Sequence, residues 1–271
     1  MQGLTLKSVR KWSAALAGAV VLSLSAAHTA FADQLDDIQK SGVLKVAVPQ
    51  DFPPFGSVGS DMQPQGYDID MANYLGKELG VKVELVPVTS ANRIPYLQTK
   101  KVDLVISSLG KNAEREKAID FTKPYAPFFL GVFGTAKAEV KDAAELAGKT
   151  VGVTRGAVED IELTKVAPAT TDLKRFEDNN TTISAFLSGQ VDLIATGNLV
   201  VASIADRNPD RKPETKFMLK NSPCYVGVHK DEARLVEKVN ELIAKAYKEG
   251  VLESMSQKWL KAAYPADLAS M

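Results

Sequence analysis

The stretch D-L-V-I-S-S-L-G-K-N-A-E-R-E-K-A-I-D-F-T-K-P-Y, Asp103 to Tyr125, sets the reading of the whole chain. An apolar strand, Asp103 to Ile106, enters a small-residue loop, Ser107 to Gly110, whose backbone amides no bulky side chain would shield. Asn112 reads as the N-cap of a helix with Ala113, Glu114 and Arg115 in its first turn, because a short polar side chain there accepts an otherwise orphaned amide hydrogen bond. Free N–H groups and the positive end of the helix dipole then converge on the loop, which suits a small anion. Arg115 adds a planar, permanently charged fork for a bidentate carboxylate contact, each charge-assisted bond being worth about 1.5 to 3 kcal/mol. The competing reading is an ordinary strand-loop-helix with a surface arginine, and the rest of the chain weighs against it.

Working outward, short apolar strands alternate with amphipathic helical stretches. Leu44 to Val48 reads as a strand, Asp68 as the cap of a helix carrying Met71, Leu75 and Leu79 on one face, and Gly80 as its end. Val81 to Val88 is a further strand and Ile94 to Thr99 a helical stretch, before the strand Val102 to Ile106. Such β-α-β-α order implies a mostly parallel sheet flanked by helices. The pattern restarts with a strand at Thr150 to Val153, Gly156 at a helix entrance, a strand at Leu173 to Phe176, a helix around Thr182 to Leu187 and a strand at Val191 to Ala195. L-Q-T-K-K-V-D-L-V-I-S from Leu97 and F-L-S-G-Q-V-D-L-I-A-T from Phe186 look alike, which suggests two lobes on one plan.

The last quarter returns to the first lobe. It has a short strand, Val226 to His229, a long helix with Leu235, Val239, Leu242, Ile243 and Ala246 on one face, and a final helix carrying Met255 and Trp259. The chain then crosses between lobes twice, near Tyr125 to Phe129 and near Asn221 to Tyr225, and two crossing strands make a hinge. The domain reading is lobe 1 at 33–126 plus 225–271 and lobe 2 at 127–224, a clamp with an anion site at its junction.

The amino terminus speaks to compartment. Lys7, Arg10 and Lys11 precede an apolar run, Trp12 to Leu24, and Ala30-Phe31-Ala32 has the spacing of a secretory cleavage site before Asp33, against the alternative of a buried N-terminal helix. The run is shorter than the roughly 20 apolar residues a membrane span needs, so a protein exported to the periplasm and not embedded in the membrane is expected. No cysteine stands near the cleavage site to carry a lipid anchor. Removing 32 of the 271 residues leaves 239, and removing three basic residues from a net charge of +0 leaves about −3, which makes nucleic acid an unlikely partner. Cys224 is the single cysteine and reads as a buried thiol.

Across the mature length the chain resembles the periplasmic solute-binding proteins of polar amino-acid ABC importers. The matching motifs are G-V-L-K-V-A-V from Gly42, P-P-F at Pro53 to Phe55, G-Y-D-I-D at Gly66 to Asp70, V-P-V-T-S-A-N-R-I-P at Val86 to Pro95, E-R-x-K-A-I-D-F-T-x-P-Y from Glu114, L-A-G-K-T-V-G-V at Leu146 to Val153 and Lys258-Trp259. The resemblance implies the two-lobed α/β fold of type II periplasmic binding proteins, and a monomer without cofactor that hands an amino acid to a membrane permease and its ATPase. It also implies that Arg115 clamps the α-carboxylate, that the backbone around Ser108 and Gly110 holds the α-amino and carboxylate groups, that Gly156 and Ala157 add amides from lobe 2, and that Phe52 covers the ligand side chain.

Three departures stand out. Gly110 occupies a position where many members carry a hydroxyl, Ala157 one where Thr is usual, and Gly197 the place of the ammonium-pairing Asp. A buried ammonium without a countercharge costs several kcal/mol, so Asn198, Glu159 or Asp160 substitutes, or the ligand is not an ordinary α-amino acid. T-S-x-N-R-I-P at Thr89 to Pro95 resembles the glutamate- and aspartate-binding branch, in which Ser90 and Arg93 would read a distal carboxylate; the alternative places Arg93 in solvent and makes Ser90 a loop cap. Pro49 stands where that branch has another Arg. An acidic or amide side chain is the preferred ligand class.

Enzymatic readings lack parts. His229 is the only histidine after the secretory segment, no G-x-S-x-G is present, and no cluster has metal-ligand spacing. Asp68 and Asp70 form no working pair, since residues two apart on a helix diverge. The enzyme alternative is a secreted cyclohexadienyl dehydratase, which resembles these binding proteins. Its substrates include prephenate, which bears two carboxylates and no ammonium, and its general acid would be Glu159 or Asp160. Phe55 reads as core beneath the Pro53-Pro54 turn.

Overall fold

The computed structural model describes residues 33–205, 208–269 and 271, and the secretory segment expected at 1–32 lies outside them. Two five-stranded sheets carry the architecture. The first runs Lys82–Pro87, Val43–Val48, Leu104–Leu109, Cys224–His229, Ile119–Ala126; the second runs Asp172–Phe176, Thr150–Thr154, Leu193–Gly197, Phe129–Gly134, Glu214–Asn221. The strands that alternate with helices pair in parallel in both sheets. Those next to the crossings pair antiparallel. This is the two-lobed α/β architecture expected from the element order.

Three of the antiparallel strands had no periodic signal. Ile119–Ala126 contains Pro124, and it is tolerated because the strand lies at the sheet's edge, where a missing N–H costs little. At the second sheet, Phe129–Gly134 lies inside and Glu214–Asn221 at the edge, each formed by pairing across the hinge region rather than by a pattern of its own. The two crossings run side by side, with Ala126 opposite Cys224 and Phe129 opposite Asn221, and the Ser222 N–H donates to the Phe128 carbonyl at 2.9 Å. Cys224 is a buried free thiol within this pair. The long helix Ala233–Lys248 buries Leu235, Val239, Leu242, Ile243 and Ala246 in the core of the first sheet.

Two expected boundaries move. The central strand continues through Ser107 and Ser108 to Leu109, so the small-residue loop shrinks to its end at Gly110. Every residue of that strand is buried, as a strand covered on both faces requires, and of the two serines it carries Ser107 has its hydroxyl paired while Ser108 is held by its backbone. Ser107 Oγ accepts from Arg93 Nε at 3.1 Å, and Ser108, at φ +39°, donates its N–H to Asp68 Oδ2 at 2.7 Å. Asp68 is therefore not a helix cap: helix Tyr67–Leu79 starts after Gly66, and the Asp68 carboxylate turns inward to accept from Ser108 and from the Tyr125 hydroxyl at 2.6 Å. Gly66 is required there, since at φ +144° a Cβ would lie 2.1 Å from the Phe55 carbonyl oxygen. Asp70, on the other side of the helix, accepts instead from Lys258 and Trp259. The strand expected at Val191 to Ala195 sits two residues later, at Leu193–Gly197.

Candidate functional site

A narrow cavity lies between the two sheets, beside the crossings. From the first-sheet side it is lined by Phe52, Ser90, Arg93, Ser108 and Gly110, and from the second by Ala157, Glu159 and Asn179. Phe52 reaches it from a short antiparallel ribbon, Asp51–Phe52 paired with Gly56–Val58, and its ring packs against Phe55 and Phe128. Phe55 itself is fully buried core. Arg93 is 5% exposed, which removes the solvent-facing alternative, and Ser90 beside it is buried in the single turn Ser90–Asn92.

Arg115 sits where its helix places it. Asn112 Oδ1 accepts from the Arg115 N–H at 2.9 Å, the cap predicted from the sequence. The guanidinium then spans the cleft: Nη1 donates to the Gly110 carbonyl at 2.7 Å and Nη2 to the Gly156 carbonyl at 3.0 Å. Gly156, at φ +73°, lets the second-sheet loop come so close that a Cβ would meet the Ala91 Cα at 3.0 Å. Burial, and next the neighbouring Arg93 charge, pull Arg115 down to about 10. Burial also lowers Arg93, and Glu159 is the first charge opposing that shift. The Glu159 carboxyl is raised by burial, against its own backbone N–H and the two arginines.

The polar groups divide into those already satisfied and those that are not. The Ser108 amide is used by Asp68, so it is not a free donor as expected; its hydroxyl, in contrast, is buried in the cavity wall without a partner. The Ser222 hydroxyl, 3% exposed and also lining the cavity, is unpartnered too. A Cβ built on Gly110 would lie 2.5 Å from Ser222 Oγ. The glycine at 110 thus coincides with a hydroxyl delivered from the hinge, a relationship no sequence pattern announces.

Asn198 and Asp160 are committed elsewhere. Asn198 Oδ1 accepts from the Phe129 N–H at 3.2 Å, at the hinge rather than in the cavity lining. Asp160 pairs with Arg175 at 2.8 Å and accepts from the Gly156 N–H at 3.3 Å. At Gly197 a Cβ would lie 1.8 Å from the Phe128 ring, so that ring occupies the room an acidic side chain would need.

Residues 44–262 match the bacterial extracellular solute-binding proteins, family 3, and the chain belongs to that family. It is 28% identical to the L-cystine-binding protein TcyJ of Escherichia coli strain K12, over 92% of this chain and 95% of that protein. Among solved structures, the cysteine-binding protein from Campylobacter jejuni superposes with a TM-score of 0.80 at 29% identity, covering 87% of this chain and 96% of that one. An ancestral amino acid-binding protein described as a precursor of cyclohexadienyl dehydratase gives 0.77 at 30% identity, covering 83% and 98%. Among the described residues no helix is long and apolar enough to cross a membrane.

Proposed function

We propose that this protein is the periplasmic binding component of a polar amino-acid ABC importer, working as a monomer that closes two lobes, 33–126 plus 225–271 and 127–224, around its ligand and presents it to a membrane permease. The observation that carries this reading is the pair of buried, unpartnered hydroxyls of Ser108 and Ser222 in a cavity that also holds Arg93 and Glu159. Buried polar atoms without partners cost about 1–3 kcal/mol each, and a polar zwitterion offers the missing bonds. Arg115, with Gly110 and Gly156 beside it, supplies the α-carboxylate contact by exchanging one carbonyl bond for a carboxylate. Phe52 covers the side chain, and Arg93 with Ser90 favours a ligand bearing a second carboxylate or an amide.

The relatives include proteins named for cystine and cysteine, and cystine also carries a second carboxylate. Calorimetric titration with L-glutamate, L-aspartate, L-glutamine and L-cystine separates these ligands. A dehydratase reading has one observation in its favour, the buried Glu159 carboxyl raised by its surroundings within the cavity. Prephenate turnover by the purified protein, abolished by Glu159→Gln, would establish that reading in place of transport.

A further inference from the structure

Four carboxylates approach the cleft, and three of them are spent. Asp51 accepts from the Asn179 backbone N–H at 2.7 Å and from its Nδ2 at 3.1 Å. Asp68 holds Ser108 and Tyr125 beneath the first-sheet wall. Asp160 is tied to Arg175 and Gly156. Glu159 alone of the four lines the cavity, 6% exposed, in the first turn of helix Val158–Val166.

We propose that Glu159 binds the α-ammonium of the ligand, entering from the second lobe opposite Arg93 and Arg115. The assignment rests on the amino-acid reading above. Its logic is exclusion joined to charge placement. Position 197 cannot supply the acid, because the Phe128 ring fills that space and is itself wedged against Phe52 and Phe55, with centroids 5.8 and 5.3 Å away. A buried ammonium demands a nearby anion, and of the four carboxylates Glu159 is the one that lines the cavity, its charge facing Arg93 and Arg115 across it. Glu159 also lies on the lobe that must move in, so its contact with the ammonium forms only on closure. A ligand bridging the first-lobe arginines and the second-lobe glutamate therefore favours the closed form by its contacts there. An α-amino group becomes a condition for closure, and an ammonium-free acid is left facing a like charge.

The test compares amino acids with their ammonium-free counterparts. The wild-type protein and Glu159→Gln are titrated calorimetrically with L-glutamate and glutarate, L-glutamine and glutaramate, and L-cystine and 3,3′-dithiodipropionate. The assignment predicts that the amino acid bound by the wild type loses about 10- to 100-fold in affinity in Glu159→Gln, while its ammonium-free counterpart binds the variant as well as or better than the wild type. An amino acid retained within about threefold, or equal losses for both members of a pair, overturns the role of Glu159 and leaves the amino-acid reading standing. A wild type that binds no amino acid of the set overturns that reading and this assignment with it. Should Glu159→Gln not fold, Glu159→Asp keeps the charge but shortens its reach, and the same selective loss is expected.

Discussion

The Asp51 carboxylate, beside the first sheet, sits at the amino terminus of the second-sheet helix Asn179–Leu187 and takes both the backbone N–H of Asn179, at 2.7 Å, and its Nδ2, at 3.1 Å. An anion at a helix start satisfies an orphan amide and complements the dipole, and here the anion comes from the opposing lobe. Together with the reach of Arg115 to Gly156 it bridges the cleft, and on the clamp reading proposed above the two contacts act as a latch for the closed form. Asp51→Ala should therefore weaken ligand binding by about 1–2 kcal/mol, roughly 5- to 30-fold, through the closing equilibrium. X-ray scattering would show a more open ligand-free form. An unchanged Kd contradicts the latch.

On the proposed reading the two arginines have separable roles. Arg115→Ala should reduce affinity for every amino acid at least 100-fold, because it removes both the carboxylate fork and the bridge across the cleft. Arg93→Ala should cost more for glutamate than for glutamine, because on that reading its charge serves the side chain rather than the α-carboxylate. Equal losses for both ligands in Arg93→Ala would count against that division, which calorimetry reads directly.

Asp68 makes stability depend on pH. Burial raises its carboxyl from 3.8 to about 7, with the Tyr125 and Ser108 donors acting against the shift. The folded chain keeps a proton that the unfolded chain releases between about pH 4 and 7, so this group's contribution falls as pH rises through that window, by about 1.4 kcal/mol per unit and about 4 kcal/mol in all. Asp68→Asn should remove that slope. Urea unfolding of both proteins at pH 4.5 and 7.5 measures it, and parallel pH profiles would refute the burial account.

Gly110 and Ser222 should be energetically coupled. Gly110→Ala places a methyl 2.5 Å from Ser222 Oγ and 3.0 Å from Val158 Cγ2, an overpacking that costs about 1–3 kcal/mol. In a Ser222→Ala background the first clash is gone, and the double mutant should be less destabilised than the sum of the single changes by about 1 kcal/mol. Additive effects in thermal unfolding would mean that the two residues do not share the space. Gly197→Asp faces the Phe128 ring and should be destabilising without improving affinity for any amino acid.

Much of this was legible in the sequence because it is local. The Asn112 cap, the strand leading to Gly110 and Gly80 as a helix stop all follow from neighbours within a few residues. What could not be read joins residues far apart along the chain. Ser222 and Gly110 are 112 positions apart, and a serine in N-S-P-C carries no signal of the cavity it faces. The vacancy at Gly197 is explained only by Phe128, which sits in a hinge whose geometry depends on both sheets. Asp68 departs from its expected role for a related reason: its position suits a helix cap, but Ser108 and Tyr125, 40 and 57 residues on, offer it a better set of donors.

The central claim is that the cleft between the two sheets captures an amino acid. Isothermal titration of the mature protein from Asp33 with L-glutamate, L-aspartate, L-glutamine and L-cystine tests it most directly. The account predicts one ligand bound per chain with a micromolar or lower Kd, about 8 kcal/mol or more, and loss of that binding in Arg115→Ala. No heat from any amino acid, with binding confined to ammonium-free dicarboxylates, would contradict it.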